Sequence, residues 1–328
     1  MRFLVIGAGS IGQRHARNLR ALGHDVLAFD ADPRRAVDAA AATGADVLVS
    51  LDAAADAKLD GVLVCTPPSS HLALARAALP WGGHLFLEKP VAPESAGVTE
   101  LLRDAAARGA QVLVGANLRF FRPLQRVKAM VDDGRIGRPL SVRAQCGFYL
   151  PSWKPGADYR QTYRAHASEG GGILLDAIHE FDYLRWIFGE VREVFCTAGR
   201  LSALAMDVED FAEVTLRFAS GTVAQLHLDY LQRSYRRDCE VIGETGVIVW
   251  NYIDGNVTLF GDERDRWQGF REPIDFNHNE MFVDEMRHFL RCVAGDETPA
   301  IDGREALAAL RLVEAAKASS ARRAWVTV

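Results

Sequence analysis

Short apolar runs alternate with amphipathic stretches along the first 117 residues. The runs Phe3–Ile6, Asp25–Phe29, Asp46–Val49, Val62–Cys65, His84–Leu87 and Gln111–Gly115 are rich in β-branched and apolar residues and read as strands. Segments near 11–22, 33–43, 69–79 and 94–108 are alanine-rich with one polar face and read as helices. Strands of near-continuous apolar character, each separated by a helix, predict a parallel sheet covered on both faces and wound through right-handed crossovers.

The pattern changes after Asn117. A helix is expected at about 123–132, stopped by Asp133-Gly134, and a strand over 139–149. A long irregular segment, Pro151–Gly172, carries Trp153, Lys154, Tyr159, Arg160, Tyr163, Arg164 and His166. Loops of this length in compact domains are usually functional or disordered. Ile173–Phe188 reads as one helix, apolar nearly all round and therefore buried, ended by Gly189. From about 191 to 260, strands joined by tight turns follow, and the alternation Ala224-Gln225-Leu226-His227-Leu228-Asp229-Tyr230 predicts an antiparallel sheet with one apolar face. Helices near 278–294 and 304–321 and a short strand close the chain.

The 328 residues are 49% apolar and 25% charged, the composition of an ordinary globular protein. A net charge of −5 argues against nucleic acid or an anionic membrane as partner. No apolar run reaches the ~18–20 residues of a membrane span. The run Phe3–Ile6 is too short for a signal peptide and ends in a glycine turn. Five scattered cysteines, Cys65, Cys146, Cys196, Cys239 and Cys292, show neither CxxC nor metal-ligand spacing, so reduced thiols, a cytoplasmic location and no metal site are expected. Lysines number five against 33 arginines, which directs attention to any lysine at a chemically useful position.

Gly7-Ala8-Gly9-Ser10-Ile11-Gly12 is a GxGxxG directly after the first strand and at the start of a helix. In that context Gly7 permits the turn, Gly9 lets the backbone approach a pyrophosphate and Gly12 lets helix pack on strand. The N–H groups at Ser10 and Ile11 would face the phosphates. Asp30 ends the second strand, where a carboxylate takes both ribose hydroxyls and favours NAD over NADP; Arg34 and Arg35 follow and suit a 2′-phosphate, so NADP stays open. The organisation expected is an α/β Rossmann domain over 1–118, with a parallel doubly wound sheet, then an α+β domain over 119–328 with a large, mostly antiparallel open sheet. The C-terminal helix is a candidate to pack back on the first domain.

Thr66-Pro67-Pro68 breaks the chain after the fourth strand, with His71 opening the next helix, either as a cofactor contact or as a residue bonded to neighbouring backbone. Glu88-Lys89-Pro90 ends the fifth strand, placing Lys89 at the carboxyl edge of the sheet, where it suits holding and polarising a substrate oxygen. Asn117 ends the sixth strand, and Arg119 opens the second half. Asp176 and His179, three apart on a buried helix, suit a proton relay at the substrate, with His179 as general acid/base and Asp176 either orienting it or binding substrate. Trp153, Tyr159 and Arg160, with Arg119, suit binding a hydroxylated or carboxylated small molecule.

A leading GxGxxG, a TPPxxH after strand four and a Glu-Lys-Pro after strand five together resemble the Gfo/Idh/MocA oxidoreductases, named for glucose–fructose oxidoreductase and inositol dehydrogenase. The resemblance extends over essentially the whole chain. It implies a cofactor lined by Gly7, Gly9, Ser10, Ile11, Gly12, Asp30, Arg34, Thr66, Pro67, His71, Glu88, Lys89 and Asn117. It implies hydride transfer between NAD(P) and a carbinol carbon of a sugar, cyclitol or sugar derivative, with Lys89, His179 and Asp176 catalytic, in a homodimer or homotetramer. Gly170-Gly171-Gly172 and the Asp…His pair also resemble the family's catalytic helix. There the His stands four residues past the Asp, a place Glu180 holds here, so either His179 or Glu180 takes the acid/base position. Two alternatives share these motifs: an NAD-using glycosidase or lyase with transient oxidation, and a dinucleotide-binding regulator without catalysis.

Overall fold

The computed structural model describes residues 1–261, 266–273 and 275–328. Strands β1 (Arg2–Ile6), β2 (Asp25–Phe29), β3 (Asp46–Val47), β4 (Gly61–Val64), β5 (His84–Glu88) and β6 (Val112–Gly115) alternate with helices α1 (Ser10–Ala21), α2 (Pro33–Thr43), α3 (His71–Ala78) and α4 (Val98–Ala107). They pair in the order β3-β2-β1-β4-β5-β6, every pair parallel. The winding direction reverses between β1 and β4, which opens a crevice at the carboxyl ends of those strands. β4 and β6 are buried along their whole length, as strands covered on both faces must be. The start of α2 is set locally: Asp32 caps it by accepting the Arg34 N–H at 3.0 Å, and Pro33 occupies the first turn.

The second half contains α5 (Arg122–Asp132), β7 (Pro139–Gly147), α6 (Ile173–Asp176), α7 (Ile178–Phe188), β8 (Val191–Gly199), β9 (Phe211–Phe218), β10 (Val223–Asp229), β11 (Arg236–Gly243), β12 (Val247–Asn251), β13 (Val257–Phe260) and β14 (Trp267–Phe270). Then come α8 (Asn279–Ala294), α9 (Gly303–Arg322) and β15 (Val326–Thr327). A nine-stranded sheet runs β14-β13-β12-β11-β7-β10-β9-β8-β15 and is antiparallel except where β7 meets β10. Ala212, Val214 and Leu216 of β9 and Ala224, Leu226 and Leu228 of β10 are buried, while Glu213, Arg217 and Gln225 point outward. One face of the sheet is therefore core and the other polar.

Two compact units result: Met1–Asn117 with Asn279–Ala308, and Leu118–His278 with Ala309–Val328. Helix α8 supplies Met286, Phe289 and Cys292 to the first unit's core, against Phe3, Val5, Leu63, Phe86 and Leu113. Burying one such side chain contributes about 1.5–3 kcal/mol. In the second unit, Cys196 of β8 donates its N–H to Ser319 Oγ of α9 at 2.9 Å.

Two elements differ from expectation. Pro151–Gly172 is a chain of short 3₁₀ turns, among them Tyr159–Gln161, Tyr163–Ala165 and Ala167–Glu169. The single helix expected over Ile173–Phe188 is broken at Ala177, whose φ of −92° and ψ of 26° end α6 before α7 begins. An apolar run shows no such break, because every residue on both sides of it faces protein interior.

Candidate active site

In the first unit the turn after β1 is built for close approach. Gly7 has φ +100°, and a Cβ there would meet the Cys65 carbonyl and Thr66 nitrogen at 2.7–2.8 Å. A Cβ on Gly12 would land on the Gly7 carbonyl oxygen, so α1 packs against the loop only with glycine at that position. A Cβ on Gly9 would meet nothing within 4 Å. Gly9 is the exposed N-cap of α1, and Ser10 is exposed with Ile11 half-buried behind it. The result is an open cradle of helix N–H groups suited to phosphate. Asp30 is fixed above it: Oδ2 accepts the Ala8 N–H at 2.8 Å and Oδ1 the Asp32 N–H at 2.9 Å. Arg34 is exposed on the first turn of α2, and Arg35 approaches Asp32 at 3.8 Å.

Past β4, Thr66 Oγ1 and Ser70 Oγ share a hydrogen bond at 2.6 Å, and Pro67 is exposed. His71 is fully buried, with Nδ1 2.9 Å from the Pro90 carbonyl and Nε2 2.8 Å from the Thr66 carbonyl. Burial lowers its pKa, against the pull of those carbonyls. Through its two ring nitrogens His71 thus ties the loop after β4 to the loop after β5. Glu88, the last residue of β5, is buried; Oε1 lies 2.7 Å from His15 Nε2, and Oε2 accepts the Lys89 N–H at 3.2 Å. Lys89 follows, half-buried, with a cis peptide to Pro90. Asn117 is buried and donates Nδ2–H to Met281 Sδ at 3.3 Å.

In the second unit, Asp176 is the centre of a dense polar group. Tyr163 donates its hydroxyl to Oδ1 at 2.9 Å, and Arg164 Nε and the Tyr230 hydroxyl donate to Oδ2 at 2.6 and 3.2 Å. Burial works against the Arg164 charge, yet the Asp176 carboxylate holds that guanidinium above its ordinary value. Burial, with Asp176 adding, likewise raises the Tyr230 phenol, which stays a donor. His179 is buried one turn on, past the break at Ala177. Glu180, with no exposed surface, is engaged elsewhere: Arg237 Nε reaches Oε1 at 2.7 Å and Nη2 reaches Oε2 at 3.1 Å.

Arg119 makes a buried two-point ion pair with Asp182, at 2.9 and 2.6 Å. Trp153 is 39% exposed and packs on Phe148, ring centroids 4.3 Å apart. The Tyr159 hydroxyl accepts the Ala205 N–H at 3.0 Å, and exposed Arg160 pairs with Asp158 at 2.8 Å. The first unit therefore gathers the glycine loop, Asp30, Thr66, Glu88 and Lys89 along one sheet edge. The second gathers Asp176 with Tyr163, Arg164 and Tyr230. Tyr230 and His15 carry no local signal of a role: one ends an alternating run, the other shares the buried face of α1 with Gly12, Ala16, Asn18 and Leu19.

A doubly wound sheet with this cradle, followed by a large open sheet, defines a nicotinamide-dependent oxidoreductase of two domains. Residues 1–116 match the oxidoreductase family with an NAD-binding Rossmann fold, and residues 124–249 match the GFO/IDH/MocA C-terminal domain. Myo-inositol 2-dehydrogenase of Thermotoga maritima is 31% identical, over 97% of this chain and 96% of its own length. The structure of GenD2 from gentamicin A biosynthesis, in complex with NAD, is 27% identical with a TM-score of 0.86, covering 100% of this chain and 96% of that one. Levoglucosan dehydrogenase, in complex with NADH and levoglucosan, shares the fold at a TM-score of 0.91 and 21% identity, covering 100% and 99%. The chain belongs to the Gfo/Idh/MocA family of oxidoreductases, and its cofactor is NAD.

Proposed function

We propose that the protein oxidises a secondary alcohol of a sugar, cyclitol or sugar derivative, with Lys89, His179 and Asp176 as the reacting side chains. The observation that carries this is Lys89 at the carboxyl end of β5, beside the reversal point of a sheet whose glycine loop is shaped for pyrophosphate. In this reading Gly7, Gly9, Ser10, Ile11 and Gly12 receive the phosphates, Asp30 takes the ribose hydroxyls, and Arg34, Thr66, Pro67, His71, Glu88 and Asn117 border the cofactor. Bound NAD supplies the hydride acceptor. The Lys89 ammonium donates to the reacting oxygen and stabilises the charge that grows there. His179 takes the hydroxyl proton. Asp176, preorganised by three donors, orients the alcohol or His179. Arg119 supports that helix through Asp182, and Trp153, Tyr159 and Arg160 border the substrate. In this reading His179 rather than Glu180 is the acid/base, since Glu180 meets Arg237 through both its oxygens.

Similarity to inositol 2-dehydrogenases makes myo-inositol the first substrate to try. The reading extends to a cytoplasmic homodimer or homotetramer, supported by five buried cysteines that form no disulfide and by the polar face of the nine-stranded sheet. The test is NADH formation at 340 nm against inositols, sugars, amino sugars and uronic acids. Lys89→Met is expected to keep NADH affinity within about twofold and to lose turnover by about 100-fold or more. Unchanged turnover would refute the role of Lys89.

A further inference from the structure

The first unit holds a buried contact between His15 and Glu88 that cofactor binding and proton transfer leave unexplained. His15 lies on the core face of α1, three residues past Gly12, with no exposed surface. Its ring is set edge-on to Phe86 and Phe282, centroids 4.9 and 6.1 Å away, with Nε2 2.7 Å from Glu88 Oε1. The other Glu88 oxygen accepts the Lys89 N–H. Room for this carboxylate depends on Gly115, where a Cβ would lie 3.1 Å from Phe86 Cζ and 3.3 Å from Glu88 Cδ. Glu285 of α8 is buried in the same region, and neither of its carboxyl oxygens meets a partner among the described residues. Burial, with the Glu88 charge adding to it, pushes the Glu285 carboxyl well above the usual carboxylate range.

A buried pair of this kind is a poor source of stability, since apolar residues of similar volume do as well or better. What it provides is geometry. We propose that His15 is a positioning residue for Lys89: it fixes the Glu88 carboxylate, which in turn fixes the peptide N–H from which the lysine departs. Helix α1, the phosphate cradle, and the lysine are thereby held in one frame. The inference rests on the reading of Lys89 given above. With Nε2 removed, the Glu88 side chain keeps, among the described residues, a single 3.2 Å bond in a buried site, and the Lys89 peptide that follows the β5 ladder loses part of its anchor. A displacement of about 1 Å at a reacting group lowers turnover by up to about 100-fold.

The test compares three variants. His15→Gln keeps an N–H donor near the Nε2 position, His15→Leu keeps bulk without a donor, and the donor of His15→Asn is too short to reach Glu88. Each lysine is labelled with trinitrobenzenesulfonate and its rate read peptide by peptide by mass spectrometry, which needs no substrate. In the Leu and Asn variants the Lys89 rate is expected to change by about fivefold or more, and kcat to fall by about tenfold or more at nearly constant KM for NAD. Lys58, Lys128, Lys154 and Lys317 should label as in the parent protein. The Gln variant should restore both readouts. A Lys89 rate unchanged in both donor-less variants overturns the proposal, and so does a Gln variant as impaired as they are. If Lys89→Met retains turnover, the role of the lysine fails by itself, while the labelling rates still decide whether His15 positions it.

Discussion

Replacing Glu180 by glutamine tests the assignment of the acid/base most sharply. Glu180 has no exposed side-chain surface, and its partner Arg237 is 11% exposed. The amide keeps one oxygen for Arg237 Nε but turns an NH₂ toward Nη2, so one of two charge-assisted bonds becomes donor against donor. Around the guanidinium remains the Tyr252 ring at 5.5 Å, and among the described residues no other carboxylate is bonded to it. Removing one partner of a buried pair costs about 3–5 kcal/mol, and the retained oxygen puts this case near 3. At a urea slope of about 2 kcal/mol per molar, the unfolding midpoint should fall by about 1.5 M. Tryptophan fluorescence is the assay, because five of the six tryptophans, including fully buried Trp250 on the strand next to Arg237, lie in the second unit. Turnover measured well below the transition should stay within about twofold of the parent, whereas His179→Gln should lose about 100-fold or more. A Glu180→Gln protein with parental stability and a 100-fold loss of turnover would refute the reasoning and make Glu180 the acid/base.

Two further outcomes follow from the geometry. Asp30→Ala removes a carboxylate held by two backbone N–H groups, and should weaken NADH binding by about 10- to 100-fold while narrowing the preference over NADPH; fluorescence titration with both cofactors reads this, and an unchanged ratio would contradict it. On the polar face of the large sheet, His227 is bonded to Asp229 at 2.8 Å and to Glu213 at 2.6 Å, and these bonds outweigh burial to raise it from 6.5 to about 9. Its contribution is therefore fully present below pH 6.5 and lost as pH rises through 9. For a side chain one-third exposed, screening limits it to about 1 kcal/mol. The gap in urea midpoint between parent and His227→Gln should be largest at pH 6 and close by pH 10, and a gap independent of pH would sink the assignment.

Features encoded over a few residues were legible in the chain itself. The glycine loop, the alternation of strand and helix, Asp30 and Lys89 all announce themselves through local spacing, and each falls at the expected end of its strand. What the sequence could not display depends on pairing between distant segments. Asp176 receives Tyr230 from 54 residues away, and Glu180 receives Arg237 from 57 away, partners set by the sheet's register. The break at Ala177 is hidden because the residues on both sides of it, polar Asp176, His179 and Glu180 included, are buried, so burial gives no sign of where one helix ends and the next begins. His71 illustrates a different limit: its sequence signal is equal for a cofactor contact and for a bond to neighbouring backbone, and its bond to the Pro90 carbonyl depends on how two separate loops meet.

The membership of α8 in the first unit bears on how the chain is made. Met286, Phe289 and Cys292 complete a core whose other members, Phe3 to Leu113, leave the ribosome first. The roughly 180 residues separating Asn117 from the end of α8 take about 10–35 s to synthesise at ~5–20 residues per second. For that interval Phe3 and Phe86 lack the aromatic neighbour Phe289, whose ring centroid lies 5.9 and 5.6 Å from theirs in the finished fold. The nascent dinucleotide-binding half thus lacks part of its apolar core until its last helix arrives, and a fragment ending at residue 117 should be prone to aggregate unless α8 is grafted back onto it.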